Sequence, residues 1–355
     1  MHPRTSIPSL LTAVALALTA CGQAAAPAAS SGGPSPAAKP SAGTAPASAV
    51  PSAPLTKVTL SYSNLIIDDL PLWVTQEAGI FRSNGLDVDL QLVESSSGVA
   101  ALTSGDVQFG SMGGSEIMTA VAGGAKFTVL ATLTPVYPYV FEATRDVKTV
   151  DDLKGKKVGV SKIGSSSDIA TRIGLRGVGL SETDVTIVQV GSAAARTAAM
   201  ANGAIQGALV QPPDNYALEK QGFHPLFDMA ALKLPAVNTC LAATQTYLSA
   251  HRDVAQKLVD SIVQGIAREQ SDKAFSVDVM KKYFKSDDTE AMSAAYDFHS
   301  KEIVPPLPYP QAANFTASKD ALAAVDPKLA SFDVTKMLDA SFVDSAAQRG
   351  LGSRS

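Results

Sequence analysis

Two short runs of glycine and serine are the residues best suited to chemistry in this chain. Positions 111–115 read Ser-Met-Gly-Gly-Ser, positions 164–167 read Gly-Ser-Ser-Ser, and each run precedes a helix-like segment. Glycine lets the backbone approach a ligand closely, and the first turn of a helix offers unpaired N–H donors to polar or anionic groups. Serine at such a place also serves as an ordinary N-cap. The pattern predicts binding of a small polar molecule by Ser111, Met112, Gly113, Gly114, Ser165, Ser166 and Ser167.

Two further loops, 63–69 and 211–214, add polar and aromatic candidates. Asp68 and Asp69 precede Pro71, so they either cap a helix or meet an amine or hydroxyl of the ligand. A pair of carboxylates argues against a purely anionic ligand. The aromatic rings could stack on a ligand or belong to the core, and Arg145 is the candidate cation. The predicted contacts in this group are Asn64, Asp68, Asp69, Trp73, Tyr137, Gln211 and Asp214, with Tyr139 and Tyr216 as further candidate rings.

Signs of catalysis are absent from the sequence. The four histidines stand singly, the two cysteines are far apart, and no HExxH, GxSxG or P-loop pattern occurs. We therefore predict no catalytic residues, no metal and no cofactor.

The elements that must position these loops alternate between strand and helix patterns, which indicates βαβ units and largely parallel sheets. Strands are predicted at 57–62, 88–93, 107–110 and 127–132, and the pattern restarts with strands at 157–161, 185–190 and 205–210. Near the end of each of these two strand–helix series, a predicted helix ends at a glycine and is followed directly by a strand, at 102–110 and again at 200–208. This repetition favours two similar lobes.

The predicted fold class is therefore α/β with two lobes, each a mostly parallel sheet flanked by helices. Lobe 1 is assigned to 55–144 together with 243–350, whose helical segments complete it, and lobe 2 to 145–242. The two crossings between lobes, the hinge, are expected at 145–148 and 239–243. Ligands bind beyond the carboxyl ends of strands in open α/β sheets, so the four loops should line one cleft.

The N-terminal region indicates export and anchoring. Residues 1–20 have a short charged start and an apolar run, which are typical of a signal peptide, and Leu18-Thr19-Ala20-Cys21 resembles the bacterial lipobox. Cys21 is the predicted lipidation site. The following segment, 21–54, is rich in Ala, Pro, Ser and Gly and has no apolar periodicity, so it is predicted to be a disordered tether. Cys240, which then lacks a partner, lies in an apolar run and is predicted to be a small buried hydrophobe.

Composition narrows the function classes. The chain has 355 residues, 46% hydrophobic and 17% charged, with a formal net charge of −4. A nucleic-acid-binding protein needs a basic face, so this composition argues against such a partner.

Three segments carry a resemblance to a known family. They are Glu77-Ala78-Gly79-Ile80-Phe81 with the neighbouring strand and helix, Leu102 to Gly110, and Asp152-Leu153-Lys154-Gly155-Lys156-Lys157-Val158. With them the chain resembles the type II periplasmic binding proteins of sulfonate, nitrate, taurine and thiamine-precursor ABC importers. The resemblance implies an extracytoplasmic, lipid-anchored monomer that closes on a small molecule and presents it to an ABC permease in the membrane.

Two other functions remain open from the sequence. The same fold could serve a sensory module that reports a ligand to a membrane kinase. A less favoured alternative is a thiamine-pyrimidine biosynthesis enzyme of the same superfamily, although this chain lacks the cysteine cluster of those enzymes.

Overall fold

The computed structural model describes residues 54–324 and 326–352. The predicted signal peptide, the Cys21 lipidation site and the tether up to residue 53 lie outside the described residues.

Lobe 1, as the structure defines it, is built on a five-stranded sheet with the order β2-β1-β3-β10-β4. Its strands are β1 (Thr56–Tyr62), β2 (Leu86–Leu92), β3 (Phe109–Met112), β4 (Phe127–Val136) and β10 (Pro235–Thr244). β1 is parallel to both β2 and β3, whereas β10 is antiparallel to β3 and β4. The first three strands confirm the predicted βα pattern.

Lobe 2 is built on a second five-stranded sheet with the order β7-β6-β8-β5-β9. Its strands are β5 (Val140–Ala143), β6 (Lys157–Val160), β7 (Thr186–Gln189), β8 (Gly207–Val210) and β9 (His224–Asp228). β6 is parallel to β7 and β8, and β5 is antiparallel to β8 and β9. Each sheet is therefore mixed, because the strand that follows each crossing, β5 in lobe 2 and β10 in lobe 1, runs against the other four strands of its sheet.

The helices flank these sheets. Between the strands lie α1 (Leu70–Glu77), α2 (Ile80–Ser83), α3 (Ser95–Ser104), α4 (Gly114–Ala122), α5 (Ser166–Gly177), α6 (Ala193–Ala201) and α7 (Asp214–Lys220). After β10 follow α8 (Gln245–Ala250), α9 (Arg252–Ser271), α10 (Lys273–Phe284), α11 (Thr289–Phe298), α12 (Thr316–Ala323) and α13 (Ser341–Gln348). No helix in the described part of the chain is long and apolar enough to cross a membrane.

The repeated helix–glycine–strand segment has the same hydrogen bonds in both lobes. In lobe 1 the Gln108 side chain accepts from Thr59 N at 2.8 Å and donates to Gly105 O at 3.1 Å. In lobe 2 Gln206 accepts from Lys157 N at 3.2 Å and donates to Gly203 O at 3.0 Å. Each glutamine fastens the end of a helix to the neighbouring strand, which explains why the two segments share a sequence pattern.

The sheet changes earlier in the chain than predicted. The first crossing is 137–139, between β4 and β5, and the return is 229–234, between β9 and β10. The predicted hinges at 145–148 and 239–243 instead lie after β5 and within β10. The sequence misleads here because 127–143 is one extended apolar run, and only pairing shows that its last part joins the second sheet.

Two apolar clusters support the lobes. In lobe 1, helices α1, α9 and α10 pack together, with Trp73 and Ile262 among the fully buried side chains. A second cluster continues from Phe127 in lobe 1 to Val158 and Leu209 in lobe 2. The C-terminal helices were expected on lobe 1 alone, but α12 packs against α5 of lobe 2.

Candidate ligand-binding site

A crevice opens between the two lobes. Its walls are Asn64 and Glu94 from lobe 1, and Ser161, Lys162 and 189–192 from lobe 2, around a cavity of about 150 Å³. Ser161 N donates to Ser167 Oγ at 2.9 Å, and the Gly191 carbonyl accepts from Arg196 Nη1 at 3.0 Å. The crevice therefore adjoins the buried polar side chains behind it. Asn64, a predicted ligand contact, lines this crevice.

The adjacent carboxylates of the β1–α1 connection are buried and neither caps a helix. Asp68 Oδ2 accepts from Asn238 Nδ2 at 2.6 Å and from Thr239 Oγ1 at 2.8 Å, while its Oδ1 is buried without a hydrogen-bond partner. Asp69 Oδ1 accepts from Ser111 Oγ at 2.7 Å. Helix capping, one of the two sequence readings, is wrong, since Asp69 makes no side-chain cap bond to α1.

Burial sets the protonation of the second carboxylate. It raises the pKa of Asp69 well above its ordinary value; the hydrogen bond from Ser111 opposes this increase, and the charge of Asp68 adds to it. Two neighbouring carboxylates in a space of low polarity are not both ionised readily. Asp69 therefore holds a proton more tightly than an exposed aspartate does.

Tyr139, in the first crossing, brings the two lobes' polar groups together. Burial raises the pKa of its hydroxyl, and so does the charge of Asp68, whereas Arg196 and a hydrogen bond with Asn238 oppose the increase. The pKa of this hydroxyl therefore responds to one charge from each lobe, that of Asp68 in lobe 1 and that of Arg196 in lobe 2.

Arg196 is the buried cation of this region. Its side chain on α6 is 4% exposed, and its Nε is buried without a hydrogen-bond partner. Burial lowers the pKa of Arg196, and the nearby Tyr139 and Asp214 oppose that change. Asp214, at the start of α7, has a pKa raised by burial to about 6, with Arg196 opposing the increase. Gln211 is 5% exposed, and neither end of its side-chain amide has a partner.

A contact between the lobes joins the starts of α4 and α5. Burial raises the pKa of Glu116, and hydrogen bonds from its own backbone N–H and from the Ser166 N–H oppose the increase. Ser166 Oγ also donates to Glu116 Oε2, at 3.5 Å. A Cβ at Gly113 would collide with Glu116 Oε2 and Ser166 Oγ, so a larger residue here would displace the two side chains that join the lobes.

The other serines of the 164–167 run are held within their own loop. Ser165 is the N-cap of α5, where its Oγ accepts from Asp168 N at 3.4 Å. Ser167 Oγ lies 2.6 Å from Ser161 Oγ and 3.0 Å from Ser165 Oγ. Of this run, Ser166 alone is shown reaching across to lobe 1.

Several predicted contacts lie apart from this region. Trp73 is fully buried in the lobe 1 core, stacked on Tyr283 with ring centroids 4.7 Å apart. The Met112 side chain points towards Gly110, and Gly114 packs closely on Val237. These three residues shape lobe 1 rather than the crevice.

Tyr137 lies beside the buried polar groups. It is 1% exposed and stacks on Tyr139 with ring centroids 6.5 Å apart; burial raises the pKa of its hydroxyl, and the charge of Glu116 adds to the increase. Two further candidates are displaced. Tyr216 packs on the lobe 1 core. Arg145, the predicted cation, is exposed and donates to the Gln221 carbonyl at the far side of lobe 2.

The sequence held signals for the residues that were missed. Arg196 is the one charged residue in the alanine-rich helix Ala193–Ala201, where a lone charge among small residues needs a reason. Glu116 occupies the third position of α4, where glutamate commonly folds back on the helix start. Thr239 was recognised only as part of the predicted hinge at 239–243, and Asn238 was not singled out.

Cysteine and histidine lie away from the crevice. Cys240 is a free, fully buried thiol, as predicted, and burial raises its pKa. His299 is buried in lobe 1, with Nδ1 at 2.9 Å from Glu269 Oε1. Among the described residues, no group of three or more His, Cys, Asp or Glu side chains is arranged to hold a metal ion.

Two solved structures share this two-lobed architecture. Over 83% of this chain and 98% of the other, the structure matches a protein of Bordetella bronchiseptica RB50, with a TM-score of 0.72 and 24% identity. The alkanesulfonate-binding protein SsuA from Xanthomonas axonopodis pv. citri, bound to MOPS, matches 81% of this chain and 100% of its own, with a TM-score of 0.67 and 20% identity.

Sequence comparison gives the family. The riboflavin-binding protein RibY of Chloroflexus aurantiacus is 28% identical over 243 residues, which is 65% of this chain and 67% of RibY. The family model "NMT1/THI5 like" matches residues 67–271. The chain belongs to this family. The family and the α/β fold class predicted from the sequence are confirmed.

Proposed function

We propose that this protein is the extracytoplasmic, solute-binding component of an ABC importer. It binds a small organic molecule between its lobes, closes on it and presents the closed form to a membrane permease. The protein acts as a monomer, binds its ligand without a cofactor and catalyses no reaction.

One observation supports the proposal: both lobes contain buried polar atoms without hydrogen-bond partners, and the charges of Asp68 in lobe 1 and Arg196 in lobe 2 both act on Tyr139. Asp68 Oδ1 comes from lobe 1, and Arg196 Nε and the Gln211 amide come from lobe 2. A buried polar atom without a hydrogen bond costs about 1–3 kcal/mol. A polar ligand that bonds to these atoms removes that cost, and because they belong to different lobes, it stabilises the closed arrangement.

A binding role suits the reactive side chains better than catalysis does. The Cys240 thiol is buried, and the histidines of the described residues are not among the groups near Tyr139. A nucleophile or general base would need to reach a ligand in the crevice. The relatives named above, RibY and SsuA, are described as binding proteins.

A ligand screen tests the proposal. Riboflavin, sulfonates, nitrate, amines and pyrimidines are added separately, and the melting temperature and the radius of gyration in solution are measured. We expect at least one compound to raise the melting temperature and to compact the molecule, because a ligand that binds only the closed form stabilises it. A stabilising compound that leaves the radius of gyration unchanged would contradict closure.

The variant Gly113→Val tests whether ligand binding requires the lobes to close. Its side chain would collide with Glu116 and Ser166, so the lobes should fail to close while each lobe stays folded. We expect the affinity for the compound found in the screen to fall by about tenfold or more, equivalent to about 1.4 kcal/mol. Gly177→Ala is the control, since a Cβ there meets nothing within 4 Å. Unchanged affinity in Gly113→Val would place the ligand elsewhere.

The anchor is tested separately. In cells of a bacterium that processes lipoproteins, the full chain should fractionate with membranes, and Cys21→Ala should move it to the soluble fraction. Cys240→Ala is the control, because that thiol is buried in the folded domain. Membrane retention of Cys21→Ala would show that lipidation at this position is not the anchor.

A further inference from the structure

We infer that Lys220 of lobe 2 and Asp288 of lobe 1 form an electrostatic latch, which holds α7 against α11 and makes the opening of the lobes depend on ionic strength. This inference rests on the proposed function, because a latch has an effect only in a protein whose lobes move. The latch lies at a contact outside the ligand crevice, since neither residue is part of the crevice wall.

The Lys220–Asp288 pair crosses from one lobe to the other. Lys220 Nζ lies 2.5 Å from Asp288 Oδ2. Lys220 is the last residue of α7, which follows β8 of lobe 2, and Asp288 is the N-cap of α11 in lobe 1. Each of the other ion pairs within residues 54–324 and 326–352 joins two groups of the same lobe. Of the ion pairs in this part of the chain, this one alone resists separation of the lobes.

Packing brings α7 and α11 close enough for this pair. Tyr216, one helical turn before Lys220, packs on the lobe 1 core. An open groove of about 400 Å³ lies between the two helices, with walls that include Tyr216, Glu219 and Lys220 of lobe 2 and Glu290 and Ala291 of lobe 1. Long side chains of opposite charge therefore meet across this groove.

Helix ends position both partners. Asp288 Oδ1 accepts from Ala291 N at 3.0 Å, so the cap of α11 fixes the carboxylate and leaves Oδ2 for Lys220. The dipole of a helix favours a cation at its C-terminal end and an anion at its N-terminal end. Lys220 and Asp288 occupy these two favoured ends, so each charge is stabilised by its own helix as well as by its partner.

Lys220 faces more negative charge than one carboxylate supplies. The hydrogen bond to Asp288 raises the pKa of Lys220, and the charges of Asp288 and Glu290 add to the increase. Glu219 lines the same groove from lobe 2. Without Lys220, acidic groups of both lobes would repel each other across the groove. The lysine therefore attracts lobe 1 and also offsets this repulsion.

The exposure of the pair makes the latch weak and sensitive to salt. The side chains of Lys220 and Asp288 are 58% and 39% exposed. An exposed ion pair shifts an equilibrium by about fivefold at most. The range of charge interactions falls from about 30 Å at 0.01 M salt to about 3 Å at 1 M. A change in ionic strength should therefore shift the balance between open and closed forms.

The radius of gyration in solution, measured without added ligand, tests the latch on the full chain. NaCl is raised from about 0.01 M to about 1 M. We expect the unaltered protein to expand, because salt screens the attraction. Lys220→Met should already be larger at low salt and should not expand further. An unaltered protein of constant size, or Lys220→Met no larger than the unaltered protein at low salt, overturns the inference.

Two further variants separate the latch from a general effect of charge. Lys282→Met breaks an ion pair with Glu77, 2.6 Å long, that joins α10 to α1 within lobe 1, so the radius should not change. Asp288→Asn removes the charge but keeps a capping side chain for α11. It should expand the unaltered protein and cause no further expansion in Lys220→Met. Expansion in Lys282→Met, or additive expansion by Lys220→Met and Asp288→Asn, overturns the direct pairing.

The outcome is distinct from that of the ligand screen. If the radius does not respond to salt or to these substitutions, the latch is wrong, while a compound that stabilises and compacts the protein still supports the proposed function. If the variants expand as expected but no compound compacts the protein, the latch stands and closure on a ligand is contradicted.

Discussion

The connection after β1 in lobe 1 and the connection after β6 in lobe 2 hold the same topological position. β1 lies between β2 and β3, and β6 lies between β7 and β8, with all four pairings parallel. The first connection supplies the buried carboxylates Asp68 and Asp69. The second supplies serines, of which Ser165 and Ser167 are bonded within the loop.

This difference teaches that a repeated fold does not produce a symmetric site. Lobe 1 brings acceptors to the cleft, and lobe 2 brings a cation, an amide and one bridging hydroxyl. The strands and helices that position these groups are nevertheless similar in the two lobes. Even the glutamine that bonds each helix end to the neighbouring strand is repeated, as Gln108 and Gln206. Four tests, each of one substitution or a pair, can break or sharpen the comparison, and they follow in order of decreasing expected effect on stability.

Trp73→Ala tests whether the Trp73 ring on α1 belongs to the lobe 1 core or to the ligand site. Trp73 is fully buried against Tyr283, so its removal should lower the free energy of unfolding by about 4 kcal/mol. Urea unfolding measures this loss, and Trp73→Phe should recover part of it. The affinity of the folded fraction for its ligand should not change; a loss of affinity in Trp73→Phe at full stability would place the ring in the site.

Glu142→Gln tests a carboxylate of lobe 2 on β5. Burial raises its pKa from 4.5 to about 8, with Glu219 adding to the increase. The folded protein keeps this proton while the unfolded chain releases it near the lower value, so stability falls as pH rises from about 4.5 to about 8. At pH 8 the variant should be more stable by on the order of 2 kcal/mol.

Thermal unfolding across this pH range measures the effect of Glu142→Gln. The fall in stability with rising pH should be smaller in the variant than in the unaltered protein. Glu290→Gln, at an exposed position, is the control and should keep the original slope. An unchanged slope in Glu142→Gln would mean that this carboxylate is ionised in the fold.

The paired variants Gln108→Ala and Gln206→Ala test the repeated scaffold. Each removes two side-chain hydrogen bonds at the same topological position, so each should cost about 1 kcal/mol. Urea unfolding of both variants under the same conditions gives the comparison. If one substitution lowers the free energy of unfolding several times more than the other, the two glutamines do not have equivalent roles in the two lobes.

Ser165→Ala and Ser166→Ala test whether neighbouring serines of the 164–167 loop have different roles, one in stability and the other in ligand binding. Loss of the Ser165 cap should lower stability by about 0.5 kcal/mol and leave ligand affinity unchanged. Ser166→Ala should leave stability unchanged and weaken ligand binding, since its hydroxyl reaches Glu116 of the other lobe. Calorimetry and thermal unfolding measure both quantities, and the reverse assignment would contradict the proposed closure contact.

The sequence by itself determined the α/β class, the two βα passes and most elements, because apolar alternation and glycine-ended helices are local signals. The strands predicted at 57–62 and 157–161, for example, are Thr56–Tyr62 and Lys157–Val160 in the structure. It also pointed to the loops beyond the strand ends. Asp68, Asp69 and Ser111 were correctly associated with one region, since parallel strands bring their carboxyl ends to the same edge.

Tertiary structure decided which of these residues face the other lobe. The crossings at 137–139 and 229–234 follow from strand pairing between distant segments, which no local pattern records. Arg196 lies on α6, far from Tyr139 in sequence. The two come close because Tyr139 leads into β5, β5 pairs with β8, and α6 packs on β8. Serines that look alike in sequence separate into Ser165, which caps its own helix, and Ser166, which bridges to Glu116, because only folding fixes where each hydroxyl points.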